Sequence, residues 1–125
     1  MGNEAQEWHK RAASALLLAK SRLTADIVLE DLCFQAQQAV EKALKGILIN
    51  HGQRPPRSHN IAFLLKEVAK FVEIPVHIED VVELTEYSVM IRYPGDYPPV
   101  QEIDYEAAIE MAEKTAKWAR HVIQE

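Results

Sequence analysis

The segment LCFQAQQAVEKALKGILIN, residues 32–50, has the pattern of one long helix with two different faces. Its leucine, isoleucine and alanine side chains recur at steps of three and four residues, which indicates a buried apolar stripe. A second line of the same helix carries four other side chains, namely Phe34, Gln38, Glu41 and Lys45. Polar side chains on so apolar a helix either face water or meet a polar partner. We therefore take this helix as the centre of the fold.

Four further segments repeat the helical periodicity. They predict helices over residues 3–22, 58–74, 75–92 and 104–123, with Ser58 and Asp104 as N-terminal caps. The inner face of the helix over residues 75–92 is predicted to consist of Ile78, Val81, Val82, Thr85 and Val89. No segment alternates with the period of two that is typical of strands. The sequence therefore predicts an all-α fold, an up-and-down bundle of four to five helices, as one domain over residues 1–125.

Composition and charge limit the classes of function. The formal net charge is −5, which argues against binding of nucleic acid through bulk charge. This charge is unevenly distributed, since residues 41–66 carry five basic side chains against one acid, whereas residues 73–113 carry eleven acids against one arginine. A local basic site, a basic partner on the acidic side, and plain solvated helix faces all remain open.

Metal sites, cofactor loops and membrane spans have no counterpart in the sequence. The five histidines are scattered, and the single cysteine, Cys33, is interpreted as a small buried thiol, so neither a metal nor a disulfide is predicted. With four glycines and no glycine-rich loop, no cofactor is predicted. No run approaches the roughly 18 apolar residues of a membrane span, and residues 1–10 lack the pattern of a signal peptide. The predicted location is the cytoplasm.

A basic loop, RPPRSH at residues 54–59, leads into the predicted third helix. Its two arginines, together with helix N-terminal amides, could hold a phosphate. The alternative is that His59 only caps the helix or packs against it.

A second loop, YPGDYPP at residues 93–99, follows Arg92. Its three prolines and one glycine exclude regular structure, and its tyrosines can pack their rings while leaving the hydroxyls available. Arg92 could turn inward to pair with Glu41, stack on a tyrosine, or form part of a ligand site.

Taken in order, four segments resemble the HEPN domain family: FQAQQAVEKALKGILINHG, SHNIAFLL, IRYPGDYPP and a final alanine-rich helix. The likeness covers nearly the whole chain. The resemblance implies a homodimeric helical bundle from a family named for presumed nucleotide binding. In prokaryotes such proteins are often encoded beside a minimal nucleotidyltransferase, with which they act as a toxin–antitoxin-like pair.

Many HEPN proteins are metal-independent ribonucleases, whose motif is an arginine followed after four to six residues by a histidine near the start of the last helix. Arg92 stands at the place of the motif arginine, but residues 96–98 are Asp-Tyr-Pro and no histidine follows. A literal match from Arg54 to His59 lies before the third helix and is interpreted as a coincidence of the basic loop. Without an imidazole, no group near neutral pH can take the proton of a 2′-hydroxyl. No catalytic residue is therefore predicted.

The leading hypothesis is a non-catalytic, dimeric HEPN module that binds a nucleotide or RNA phosphate and acts with a minimal nucleotidyltransferase. Arg92 would supply a charged fork, Lys45 a second cation, and Tyr93 or Tyr97 a stacking surface. The full set of predicted ligand-binding residues is Arg92, Tyr93, Tyr97, Lys45, His59, Glu41 and Gln38.

Two alternatives stay open. One is a ribonuclease with a degenerate site, which would use Arg92 with Tyr97 or Arg54 with His59. The other is a purely structural dimerisation bundle, in which the polar side chains of the central helix and Arg92 only satisfy one another.

Overall fold

Five α-helices and one 3-10 segment make up the fold. In this computed structural model, which describes residues 2–124, they are α1 (Gly2–Ala19), α2 (Leu29–Asn50), α3 (Ile61–Val68), the 3-10 segment Val76–Leu84, α4 (Thr85–Met90) and α5 (Glu102–Gln124). No residue from 2 to 124 lies in a β-strand. The predicted all-α bundle is confirmed. None of the helices described is both long and apolar enough to cross a bilayer.

The central position of α2 follows from its composition. Thirteen of its residues are buried, and it contacts all the other elements. Where α1, α2 and α5 meet, the buried side chains are mostly alanines, which lets three helices pack with short interaxial distances. They are Ala12, Ala15 and Ala19 on α1, Ala36, Ala39 and Ala43 on α2, and Ala108, Ala112 and Ala119 on α5.

Ser58 and Asp104 both lie near the N-terminus of the helix that each was predicted to cap, but neither is the N-cap residue itself. Helix α3 begins at Ile61, and its cap is Asn60, whose side chain accepts a hydrogen bond from Phe63 N at 3.1 Å. Ser58 instead accepts from the amide of Asn60 at 3.1 Å and shapes the approach to the helix. Helix α5 begins at Glu102, so Asp104 lies inside its first turn.

The carboxylate of Asp104 accepts the N–H of Gln101 at 3.0 Å, which is the reaching-back half of a capping box. The sequence thus predicted where each group of capping residues lies. It did not identify the N-cap residue in either group, because neighbouring polar side chains compete for the same backbone amides.

The predicted helix over residues 75–92 is wrong as a single α-helix. The chain forms the 3-10 segment first and turns α-helical only at Thr85. Ile78, Val81 and Leu84 are buried at three-residue intervals, which suits the three residues per turn of a 3-10 helix. Val82, predicted to face inward, is 39% exposed as a result.

Candidate functional site

Glu41 is a buried carboxylate that ties two elements together. Its side chain is 5% exposed, and its Oε1 lies 2.6 Å from His59 Nδ1 while its Oε2 lies 3.7 Å from Lys45 Nζ. Helix α2 places Glu41 and Lys45 one turn apart, and the segment that leads into α3 supplies His59. Because an ionised carboxylate only accepts hydrogen bonds, His59 Nδ1 carries the hydrogen in this contact. The imidazole itself is 60% exposed, so a ligand in solvent can reach it.

Two glutamines of α2 adjoin this cluster, one in the core and one half-buried. Gln37 is fully buried, and its Nε2 lies 3.5 Å from both Glu41 Oε1 and the backbone oxygen of His59. Its Oε1 accepts a hydrogen bond from Gln38 Nε2 at 2.9 Å. Gln38 therefore reaches Glu41 only through Gln37, a residue absent from the predicted site. The spacing of Gln37 four residues before Glu41 was the signal available in the sequence.

A basic cleft opens beside the Glu41 cluster. It has a volume of about 650 Å³ and is lined by Lys45, Arg54, Arg57, Trp8, Pro55 and Pro56. Lys45 Nζ lies 6.0 Å from the centroid of the Trp8 ring, within reach of a cation–π contact. Three cations and an indole face share one concave surface, which is the chemistry that a phosphate attached to an aromatic base would need.

Lys45 is the side chain common to the cleft and the cluster. Its side chain is only 9% exposed, and it faces Glu41 on one side and the cleft on the other. The carboxylate neutralises part of the lysine charge, so Arg54 and Arg57, which are exposed, supply most of the field that a ligand meets.

The loop after α4 forms a separate and smaller cavity at the opposite end of α2. This cavity of about 270 Å³ has an aromatic and acidic lining that includes Tyr93, Tyr97, Glu30, Asp31, Val28 and Met90. Glu30 Oε2 accepts the N–H of Val100 at 2.9 Å and so fastens the end of the loop to the first turn of α2.

The seven predicted residues therefore form two separate groups within the chain. Gln38, Glu41, Lys45 and His59 lie together, whereas Arg92, Tyr93 and Tyr97 lie at the other end of α2. Asp31 and Lys45 are about 21 Å apart along the helix axis at a rise of roughly 1.5 Å per residue. Arg92 is exposed and forms no ion pair with any residue from 2 to 124. The inward pairing of Arg92 with Glu41 is absent, since Glu41 bonds to His59 and Lys45 instead.

Other reactive groups are structural. Burial raises the pKa of the Cys33 thiol to about 11, so the thiol stays protonated at neutral pH and is a poor nucleophile. Burial, and next to it the neighbouring Cys33, likewise raises the pKa of Tyr87. Among residues 2–124, no group of three or more histidine, cysteine, aspartate or glutamate side chains is arranged to hold a metal ion.

Trp8 is the second site residue that sequence reasoning missed. Its position in the apolar stripe of the first helix predicts a core side chain, yet it is only partly buried and lines the cleft. No local pattern distinguishes the two roles, because the cleft exists only after α1 packs against the second half of α2.

Known proteins share this fold over nearly the whole length of the chain. The model of the HEPN domain family matches residues 5–122, a span that reaches into all five helices. The crystal structure of TT1696 from Thermus thermophilus is 30% identical, with a TM-score of 0.83 over 96% of this chain and 98% of that one. ST0689, an archaeal HEPN homologue, is 28% identical, with a TM-score of 0.74 over 95% and 97% of the two chains. No curated protein matches the chain. The chain belongs to the HEPN domain family.

Proposed function

We propose that this HEPN domain is a non-catalytic module that binds a nucleotide or RNA phosphate, and that it works as a homodimer paired with a minimal nucleotidyltransferase in a toxin–antitoxin-like system. The observation that supports binding is the cleft that gathers Lys45, Arg54, Arg57 and Trp8 on one surface. The volume of about 650 Å³ is within the range of small-ligand sites.

Each wall of the cleft has a separate role in this proposal. The guanidinium forks of Arg54 and Arg57 bind phosphate oxygens in bidentate fashion, and Lys45 contributes a point charge. The indole of Trp8 offers a stacking face for a base. Glu41 holds Lys45 and His59 in place. The chain is acidic overall, so this local arrangement, rather than bulk charge, selects the ligand.

Removing both cleft arginines should abolish most of the binding. In Arg54→Ala/Arg57→Ala, we expect the affinity for ATP and for a short 5′-phosphorylated oligoribonucleotide to fall at least about tenfold per arginine, since a hydrogen bond to a charged group contributes about 1.5–3 kcal/mol. Isothermal titration calorimetry measures the change.

The matched control is Lys114→Ala/Lys117→Ala, which removes two exposed cations from α5, away from the cleft. An equal loss of affinity in the control would mean that the ligand responds only to the total charge of the protein.

The variant Arg92→Ala decides which of the two groups of predicted residues binds the ligand. If Arg92→Ala alone removes binding, the ligand site lies at the tyrosine end of α2 and the proposed cleft is wrong.

The nucleotidyltransferase partnership rests on the family resemblance and needs its own test. Co-expression of the tagged chain with the nucleotidyltransferase encoded nearest to its gene should give a stable complex by size-exclusion chromatography. A partner that elutes apart at micromolar concentration would remove this half of the proposal.

A metal-independent ribonuclease is the second candidate, and one contact favours it. The carboxylate of Glu41 orients the His59 imidazole from 2.6 Å, and Arg54 lies in the adjoining cleft. A histidine fixed at one nitrogen by a carboxylate and exposed at the other is a suitable general base. Such a base would take the 2′-hydroxyl proton of RNA as the 2′-oxygen bonds to phosphorus, and the bond from phosphorus to the 5′-oxygen would break, with the leaving 5′-oxygen protonated by solvent. Arg54 and Lys45 would stabilise the negative charge on the phosphoryl oxygens.

If the ribonuclease assignment is correct, RNA cleavage in the presence of a chelator should fall about 100-fold or more in His59→Ala, because general-base catalysis contributes about 10²–10⁴-fold. A 2′-deoxy substrate serves as the control and should remain intact. Loss of cleavage only in Arg92→Ala and Tyr97→Phe would move the active site to the other end of α2. No cleavage by the wild-type protein leaves the binding module.

A further inference from the structure

A second cavity adjoins the basic cleft and shares part of its wall. It has a volume of about 420 Å³, and Trp8, Arg54 and Pro55 line both spaces. The residues that line only the second cavity are Glu4, Ile49, Gly52 and Gln53. A ligand that lies against the Trp8 indole can therefore enter both spaces at once.

The two spaces differ in their chemistry. The basic cleft holds three cations, whereas the second cavity combines the carboxylate of Glu4, the amide of Gln53 and the half-buried apolar side chain of Ile49. A phosphate belongs in the basic cleft, because the carboxylate would repel it in the second cavity. The second cavity instead suits an uncharged planar group with hydrogen-bonding edges, which is the chemistry of a nucleobase.

The position of Glu4 limits which base fits. Glu4 lies four residues before Trp8 on α1, so their Cβ atoms are about 5–6 Å apart on one face of the helix. The edge of a base stacked on the indole therefore lies within reach of the carboxylate. Because an ionised carboxylate only accepts hydrogen bonds, it favours an edge with adjacent donors. Guanine offers a ring N–H beside an amino group, whereas adenine turns an acceptor nitrogen to the same place.

The amide of Gln53 favours the same base. Its Nε2 lies 3.4 Å from the backbone oxygen of His51, which uses one of the two amide hydrogens. The second hydrogen remains for a ligand, and it suits the carbonyl oxygen of guanine rather than the amino group of adenine. The backbone of this loop is fixed, since the N–H of Gln53 donates to the Leu48 oxygen at 2.9 Å at the end of α2.

We propose that the preferred ligand of this domain is a guanine nucleoside phosphate, whose base stacks on Trp8 and presents its edge to Glu4 and Gln53. The proposal rests on the proposed function, in which Lys45, Arg54 and Arg57 bind the phosphate. ATP then binds through its phosphates and through stacking alone, and therefore more weakly than GTP.

Isothermal titration calorimetry with GTP, inosine triphosphate, ATP and inorganic triphosphate tests this selectivity. We expect GTP to bind at least about tenfold more tightly than ATP, since hydrogen bonds to a charged group are among the stronger ones. Inosine triphosphate keeps the ring N–H and the carbonyl oxygen of guanine but lacks the amino group, so its affinity should lie between the two. Inorganic triphosphate measures the basic cleft without any base.

The decisive variant is Glu4→Gln, which keeps the size of an exposed side chain and removes its charge. Its affinity for GTP should fall to about that for ATP, while its affinity for inorganic triphosphate stays close to that of the wild type. The matched control is Glu7→Gln, which removes the same charge from an exposed position of α1 that lines neither space. This control should keep the wild-type preference for GTP.

The results separate the guanine assignment from phosphate binding. Equal affinities of the wild type for GTP and ATP, or a preference for GTP that persists in Glu4→Gln, would overturn the guanine assignment and leave the phosphate site in place. If neither inorganic triphosphate nor any nucleotide binds, the proposed function is wrong and the guanine assignment is wrong with it.

Discussion

Replacing Glu41 with alanine should destabilise the domain by about 3–5 kcal/mol, which is the usual cost of leaving one member of a buried ion pair without its partner. Glu41 is the acceptor for His59 and the counter-charge for Lys45, whose side chain is 9% exposed. Its loss leaves an ammonium group at a site with little access to water. It also removes the shorter of the two side-chain contacts between α2 and His59, which leaves only the 3.5 Å contact of Gln37 with the His59 backbone oxygen. Urea denaturation monitored by circular dichroism measures the change.

Two controls separate charge from packing in this prediction. Glu41→Gln keeps an oxygen that can accept from His59, so we expect it to cost less than Glu41→Ala. In Glu41→Leu/Lys45→Met both charges are removed and the volume is roughly kept, so the double variant should be more stable than Glu41→Leu alone. A destabilisation below about 1 kcal/mol for Glu41→Ala would show that solvent screens the pair.

The same variants test the purely structural alternative. If the cluster serves only stability, any loss of ATP affinity in Glu41→Leu/Lys45→Met should be fully explained by a smaller folded fraction of that variant. If the cleft binds phosphate, the variant should fold and yet bind ATP more weakly, because Lys45 is missing from the lining. Stability and affinity thus respond differently under the two hypotheses.

The sequence predicted the parts of the fold that depend on local periodicity. The apolar stripe of residues 32–50 is long, and it recurs at steps that only a helix can present on one face, so α2 and its central position followed from it. The 3-10 segment did not follow, because valines and isoleucines at residues 76–84 satisfy three- and four-residue spacings alike. Tertiary packing of Leu84 rather than Val82 decided between them.

The candidate site was predictable in its chemistry but not in its grouping. Glu41 and Lys45 are four residues apart on one helix, so their pairing follows from the sequence. His59 contacts the same carboxylate from the segment before α3, and Trp8 of α1 lies beside Lys45. Neither contact can be read from the spacing of residues along the sequence. The tyrosines of residues 93–99 lie at the far end of α2 because Glu30 holds Val100 there, a contact across 70 residues that no local pattern reports.

Replacing Gly46 with leucine should destabilise the domain by about 3 kcal/mol, the upper part of the usual range for overpacking a core. A Cβ atom at this position would lie 3.2 Å from the Cβ of Trp8 and 3.3 Å from the Cδ1 of Ile123. The backbone oxygen of Ala5 lies 3.6 Å away. Both α1 and α5 therefore close over Gly46, and the further carbons of leucine would force at least one of them outward.

Alanine at the same position is the matched control, and its two effects nearly cancel. Replacing a helix-interior glycine gains about 1 kcal/mol in helix propensity, while the two close contacts require Trp8 and Ile123 to shift by a few tenths of an ångström. In thermal unfolding, the midpoint of Gly46→Ala should therefore lie near that of the wild type and the midpoint of Gly46→Leu far below it. Equal stability of the two variants would contradict the packing of α1 on α2.

Gly46 also sets the position of the Trp8 indole, which lines the basic cleft. Gly46→Ala should therefore weaken ATP binding more than it changes stability.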